Sequence, residues 1–446
     1  MYRRFESRQR VFNSNKNDAY CRMRYPPALL PPNRRPMSLP PIIQPASPRG
    51  QDPLPQPDNE AQAHSQALCE KILAAIEAAG GWMPFTQFMG LALYTPALGY
   101  YSGGAHKFGA AGDFVTGPEM TPLFGRTLAR TIAPMLAASK PYLTEAGAGT
   151  GKLAGDLLQA LEAMGQLPER YDILELSAEL AQRQRAHLAA TVPHLIDRIH
   201  WLSALPETIE GVLVGNEVLD AMPVELVRWK DGQGQRLGVS VERIDDGIRF
   251  ITTPGETSPE LAERIRTLAE KYEWPDDYTT ELPEAGPAWI TTLAQRMTQG
   301  ALLLIDYGFP RHEFYHHERT GGTLMCHYRH RAHPDPFYWP GLQDITAHVD
   351  FTAIAEAGFD AGMEVAGYCT QAGWLMDAGL LDILAAEQPA DPAQTTPAWV
   401  RTQHAVQTLL SPAEMGEFFK VILLTRGLPG TLRIPGFIRS DRSHTL

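Results

Sequence analysis

Cysteine is scarce. Four residues, Cys21, Cys69, Cys326 and Cys369, are scattered over 446 positions with no C-x-x-C pair. That excludes a zinc ribbon and a disulfide framework, and it fits a reducing compartment: the cytoplasm, or the mitochondrial matrix in a eukaryote. Long apolar runs are also missing. No stretch reaches the roughly eighteen residues that a membrane span needs. The body of the chain is poor in positive charge. Residues 1–50 carry ten Lys/Arg against Glu6 and Asp18, while the whole chain stands at −12, which leaves −20 for the remainder. An acidic body argues against a nucleic-acid backbone as the main partner, because phosphate contacts need basic patches. It is compatible with a basic protein substrate.

What is present is globular. Apolar residues make up 44% and charged residues 20%, enough to bury a large core in one elaborated domain or two. The first sixty residues stand apart, with twelve prolines and little periodicity. They read as a disordered basic tail, within which Met37 is a possible true start. A helical segment is expected over 61–136. Its first helix, Ala61 to Ala79, presents Leu68, Ile72 and Ile76 on one face and stops at Gly80-Gly81.

From Tyr142 the pattern turns into strand–helix alternation, the mark of an α/β fold with a parallel sheet. Strands are expected at Tyr142–Ala146, Tyr171–Leu176, Ile199–Leu202, Val212–Gly215 and Ala301–Ile305. An inserted α+β excursion is expected over 231–300, with turns at Asp231-Gly232 and Asp246-Gly247. Residues 137–230 and 301–427 form the core, with last strands at Met363–Tyr368 and Phe418–Thr425. The segment 428–446 reads as a loose tail.

The sharpest local signal is Thr144-Glu145-Ala146-Gly147-Ala148-Gly149-Thr150-Gly151-Lys152-Leu153. It is a strand end, a glycine loop and a helix start, which builds a small-molecule site at the carboxyl edge of a parallel sheet. Dinucleotide spacing fails, because the third glycine of G-x-G-x-x-G would fall on Lys152. A Walker A loop fails too: Ala146 stands where glycine is required, and Leu153 where Ser or Thr is. The remaining pattern, E-x-G-x-G-x-G, resembles the cofactor loop of class I S-adenosylmethionine methyltransferases. Polar or glycine-rich loops also follow the strands ending near 174, 215 and 305, all at the edge where open α/β sheets bind ligands. Glu175, at the end of the second strand, suits ribose hydroxyls. The histidines 312, 316, 317, 327, 330 and 333 do not match a metal-ligand spacing, so no metal is expected.

Several stretches together resemble the MidA family, class I methyltransferases that include a mitochondrial complex I assembly factor. They are Leu93-Tyr94 with Pro96 and Gly99-Tyr100-Tyr101, Gly112-Asp113-Phe114-Val115-Thr116-Gly117-Pro118-Glu119, the loop Glu145 to Gly151, Gly215-Asn216-Glu217-Val218-Leu219-Asp220-Ala221-Met222-Pro223-Val224, Ile305-Asp306-Tyr307-Gly308, Gly322-Thr323-Leu324, Asp344-Ile345-Thr346-Ala347-His348-Val349-Asp350-Phe351 and Ser411-Pro412-Ala413-Glu414-Met415-Gly416. Ala148 departs from the family, where proline is common; the first sixty residues match nothing in it. The resemblance implies a Rossmann-like class I methyltransferase sheet with a helical N-terminal part, S-adenosyl-L-methionine as cofactor, and a protein substrate with arginine as acceptor.

On that reading Gly147, Gly149 and Gly151 shape the methionine pocket, with Glu145 beneath it, Glu175 on the ribose and Asn216 alongside. A guanidinium acceptor needs carboxylates to hold its fork. Glu217 and Asp220 are the candidates, with Asp113 and Glu119 as a lid or second wall. Placement of charge at a helix N-terminus is the competing explanation of Glu217 and Asp220. Two other functions remain open: a partner-binding assembly factor on the same fold, and a nucleotide-cofactor enzyme.

Overall fold

The computed structural model describes residues 42, 54–102, 116–391 and 396–446. Its centre is a twisted sheet of seven main strands: β1 (Tyr142–Ala146), β2 (Arg170–Leu174), β3 (Ile199–Leu202), β4 (Ile209–Asn216), β5 (Met297–Phe309), β6 (Glu364–Thr370) and β7 (Phe419–Arg426). The order is β3-β2-β1-β4-β5-β7-β6, with the two-residue strand Val349–Asp350 added beside β5. β3 through β5 pair in parallel, and β7 runs antiparallel between β5 and β6. The expected sheet is present, and it is longer at β5 than the apolar run alone indicates.

The sheet forms because its inner strands are apolar on both faces. Leu303 and Ile305 on β5, Val212 and Val214 on β4, and Val421 and Leu423 on β7 pack with helices Pro122–Ala138 and Lys152–Ala163. The alternate residues Leu302, Leu304, Leu213, Ile422 and Leu424 pack with helices Ala285–Arg296 and Phe351–Asp360 on the opposite face. This period-two split settles the register, since a one-residue slip would trade the two faces.

The insertion between β4 and β5 builds a second, antiparallel sheet from Glu225–Lys230, Gln233–Ile244, Gly247–Gly255 and Tyr278–Leu282, with Trp82–Pro84 added from the N-terminal part. Helices Asn59–Ala78 and Phe85–Tyr94 close over it. Leu68, Ile72, Phe88 and Leu93 share one apolar cluster with Leu226, Leu237, Val239 and Phe250. The N-terminal helices and the insertion are thus one packed unit, although about 130 residues separate them in sequence. A third, small sheet joins Met325–Tyr328 with Arg331–His333 and Asp344–Thr346.

The C-terminal end differs from the sequence expectation. The final segment is docked, not loose: Ile434 is buried, Phe437 fills the space that a side chain at Gly367 would need, and Asp441 accepts from the Tyr368 N–H at 2.9 Å. At the other end Ile42 bridges to Ile248, and Leu54 is buried against Tyr328 and Tyr338. The rest of the expected basic tail, residues 1–41 and 43–53, lies outside the described residues.

Candidate active site

The loops after β1, β2, β4 and β5 lie side by side. Register places Ala146 beside Leu174 and Gly215, and Asn216 beside Ile305. The chain turns outward in opposite directions from β1 and β4, so the crevice between them is the topological switch point of the sheet.

On the β1 side, Gly147, Gly149 and Gly151 all adopt positive φ, at 67°, 52° and 84°. This conformation is costly for residues with a side chain. A Cβ at Gly149 would meet nothing within 4 Å, so the loop leaves open space there. The Gly147 N–H donates to Leu174 O at 3.1 Å, which ties the loop to the end of β2. Glu145 is buried one step below and accepts from the Tyr171 hydroxyl at 2.7 Å. Burial pushes its carboxyl up to about 7, against the opposing pull of that bond.

Glu175 ends β2 and is held by two donors, the Ser177 N–H at 2.8 Å and Gln184 Nε2 at 2.9 Å. Burial still raises it above the usual carboxylate range. Gln184 is fully buried and also donates to Gly149 O at 3.0 Å, while its own oxygen accepts from Trp201 Nε1 at 3.0 Å. One amide therefore locks the glycine loop, Glu175 and β3 together. Sequence reasoning missed Gln184; a polar residue four before Leu188 on the buried stripe of helix Ala178–Thr191 is its visible signal. Glu119 accepts from Thr150 Oγ1. That contact puts it on the glycine-loop side. Asp113 lies outside the described residues.

The β4 side is built differently. Glu217 has φ of +54°, strained for a residue with a side chain, and its N–H donates to Ile305 O at 2.8 Å. Asn216 Nδ2 donates to Glu217 Oε1 at 2.8 Å. Burial first, then the charges of Asp220 and Asp344, push Glu217 up to about 8. No helix begins here: residues 217–222 form a turn. The helix-terminus explanation of Glu217 and Asp220 therefore falls. The turn is held by Asp306 at the end of β5, a residue without an assigned role in the sequence reading. Its Oδ2 accepts from the N–H groups of Val218, Leu219 and Asp220 at 3.0, 2.8 and 3.4 Å. Burial and the neighbouring Asp220 raise Asp306 well above its ordinary value.

Asp220 is 4% exposed, and its Oδ1 has no hydrogen-bond partner among the described residues. Burial raises this carboxyl, against a hydrogen bond from the Tyr307 side chain. None of Glu217, Asp220 and Asp306 forms an ion pair among the described residues. Two aromatic rings pack against the turn. Tyr94 and Tyr101 stack at 5.6 Å; Tyr94 donates to Ala221 O at 2.8 Å, and Tyr101 donates to the Asp344 carboxylate at 2.9 Å. Among the described residues no group of three or more His, Cys, Asp or Glu is placed to hold a metal ion. No described helix is long and apolar enough to cross a membrane.

Residues 124–369 match the model of a family described as "Putative S-adenosyl-L-methionine-dependent methyltransferase". That is more than half of the chain. The chain belongs to this family. It is similar to a solved protein from Burkholderia thailandensis bound to S-adenosyl-homocysteine, at 49% identity and a TM-score of 0.82, covering 88% of this chain and all of that one. It is also similar to the zebrafish "Protein arginine methyltransferase NDUFAF7, mitochondrial", at 28% identity over 80% of this chain and 86% of that protein. The Drosophila melanogaster homologue is 25% identical over 86% of this chain and 90% of its own length. The family's cofactor fits what is here: three left-handed glycines, open space at Gly149 and a fixed acid at the end of β2. This chain is an S-adenosylmethionine-dependent methyltransferase with a Rossmann-like sheet.

Proposed function

We propose that the methyl acceptor is a cationic protein side chain, arginine, bound at the turn 217–220 and the Tyr94/Tyr101 pair. One observation carries this reading. Buried and half-buried carboxylates stand in the crevice without a counter-charge among the described residues, and the buried Asp220 Oδ1 lacks a partner among them. A guanidinium supplies both the missing charge and the missing donors, and its fork suits paired carboxylates. The relatives named as arginine methyltransferases agree with it.

On this reading Gly147, Gly149 and Gly151 admit the methionine part of the cofactor, Glu145 supports the loop from below, Glu175 takes the ribose and Asn216 borders the pocket. Glu119 belongs with them through Thr150. When bound, the cofactor supplies a methyl group on sulfonium, which is transferred by in-line displacement. The chain's own task is alignment and proton management. Glu217 and Asp220 hold the guanidinium, and one of them takes the proton that its nitrogen gives up on methylation. Their raised pKa values, in the range where a general base works near neutrality, suit that role.

The test is to incubate the purified chain with methyl-labelled S-adenosylmethionine and lysate of its own cells, then locate the label by mass spectrometry. Label on arginine is the expected outcome. Label confined to carboxyl, hydroxyl or lysine groups would overturn the arginine assignment. No label despite measured cofactor binding would favour a partner-binding role for the fold.

A further inference from the structure

The tyrosine pair against the turn carries a feature that the reaction above does not use. Tyr101 is anchored at its tip: its hydroxyl lies 2.9 and 3.0 Å from the two oxygens of Asp344. Asp344 is itself fixed, 2% exposed, in the short strand Asp344–Thr346 that pairs with Met325–Tyr328. That strand is tied to the catalytic turn, since the Ala347 N–H donates to Asp220 O at 3.0 Å. The ring of Tyr101 is held by stacking on Tyr94, whose own hydroxyl donates to Ala221 O of the same turn. Tyr101 keeps some exposure, and the charges of both Asp344 and Asp220 act on it.

A phenol has one proton and two acceptor lone pairs. Here the proton is committed to Asp344. Burial and the two aspartates hold the hydroxyl well above its ordinary pKa, so the proton stays. The Tyr101 oxygen can therefore offer only lone pairs to any further partner. No described donor reaches it.

We infer that Tyr101 is the specificity-determining residue of the acceptor site, accepting a hydrogen bond from an N–H of the bound cation, and that Asp344 is the positioning residue that keeps Tyr101 an acceptor only. The inference rests on the cationic-acceptor reading above. It deepens that reading by naming the contact that selects for hydrogen-bond donors. A guanidinium held by Glu217 and Asp220 through one edge still presents N–H groups elsewhere, and those are what an acceptor-only phenol recognises. A substrate carbonyl, carboxylate or phosphate at the same place would face a lone pair with no donor, a mismatch that discriminates steeply.

The experiment uses the full chain loaded with S-adenosyl-homocysteine and ligand-observed NMR titration with methylguanidinium, methylammonium and acetamide. Tyr101→Phe keeps the ring and its stacking and removes only the oxygen. Its affinity for S-adenosyl-homocysteine should be that of the wild type, which serves as the folding control. Its affinity for methylguanidinium should fall about tenfold, as expected for one hydrogen bond to a charged group. Asp344→Asn should weaken methylguanidinium as well. The double variant should lose less than the sum of the two single losses, because part of the Asp344 effect runs through Tyr101, while its charge also acts on Glu217.

The outcomes separate the two claims. Wild-type binding of methylguanidinium with no loss in Tyr101→Phe overturns the inference and leaves the arginine reading standing. Binding of methylammonium but not methylguanidinium, weakened in Tyr101→Phe, upholds the Tyr101 contact and overturns arginine. Binding of neither cation overturns both. Additive losses in the double variant overturn the positioning role of Asp344.

Discussion

The two halves of the crevice are finished to different degrees. On the glycine-loop side, every acid that the structure describes is satisfied. Glu175 has two donors, Glu145 has Tyr171 and Glu119 has Thr150. Burial lifts carboxyls on both sides, but on the β4 side Glu217 is also strained in its backbone and Asp220 has an orphaned oxygen. Buried charge without a partner is expensive, and a fold tolerates it where a ligand will supply the partner. The first side is therefore complete before anything binds, as suits a cofactor of constant shape. On the proposed reading, the second stores an electrostatic cost, on Glu217 once it ionises and on Asp220, that a bound cation would relieve.

The largest expected effect breaks the finished side. Gly149→Val asks a β-branched residue to adopt φ near +52° and points its branches into the space at the mouth of the loop. Affinity for S-adenosylmethionine should fall by more than about a thousandfold, a few kcal/mol of strain and exclusion together. The far-UV circular dichroism spectrum should stay that of the wild type. Calorimetry that returned unchanged affinity would remove the glycine loop from the cofactor site.

Next comes the charged side. Glu217→Gln keeps size and the Asn216 contact but deletes the carboxylate. Cofactor affinity should stay within about threefold of wild type, because the glycine loop is untouched. The kcat with a verified acceptor should drop by about a hundredfold or more, the scale on which a positioned base contributes. If both numbers moved equally, the division of the crevice into two independent halves would be wrong. Full activity would exclude Glu217 from the reaction.

The same division governs how much could be read from the sequence. The glycine side is local: loop, strand and Glu175 lie within about thirty residues, and spacing alone distinguishes this loop from dinucleotide and phosphate loops. Strands β1 to β5 were legible because buried parallel strands are continuous apolar runs. The β4 side was legible only in part. Glu217 and Asp220 stand out in sequence. The residues that give them meaning come from elsewhere in the chain: Asp306 from β5, Tyr94 and Tyr101 from before the sheet, Asp344 from a three-residue strand. No periodicity reports such juxtapositions. A three-residue strand such as Trp82–Pro84 is equally silent, because its only signal is the partner it pairs with. The same holds for Gln184, whose role appears only when Gly149, Glu175 and Trp201 are seen around it.

The smallest effect is also the one that tests the stored cost directly, without any acceptor. Glu217 has a folded pKa of about 8 against an ordinary value of 4.5. The native state thus holds a proton that the unfolded chain has already released. Stability from this group is fully present below about pH 4.5 and is lost as pH rises through about 8. Glutamine cannot lose that proton. Glu217→Gln and wild type should therefore differ least at pH 5, the lowest pH measured, and the variant should gain on wild type steadily from there, levelling off above about pH 8. Because Glu217 is only partly buried, solvent screening trims the gain to the order of 2 kcal/mol. Urea unfolding of the cofactor-free protein at pH 5, 7 and 9 measures it. Adding methylguanidinium to the wild type at pH 9 should recover part of the difference, since a bound cation stabilises the ionised carboxylate. A variant no more stable than wild type at pH 9 would mean that the charge on this side is already relieved, and the contrast between the two halves would lose its physical basis.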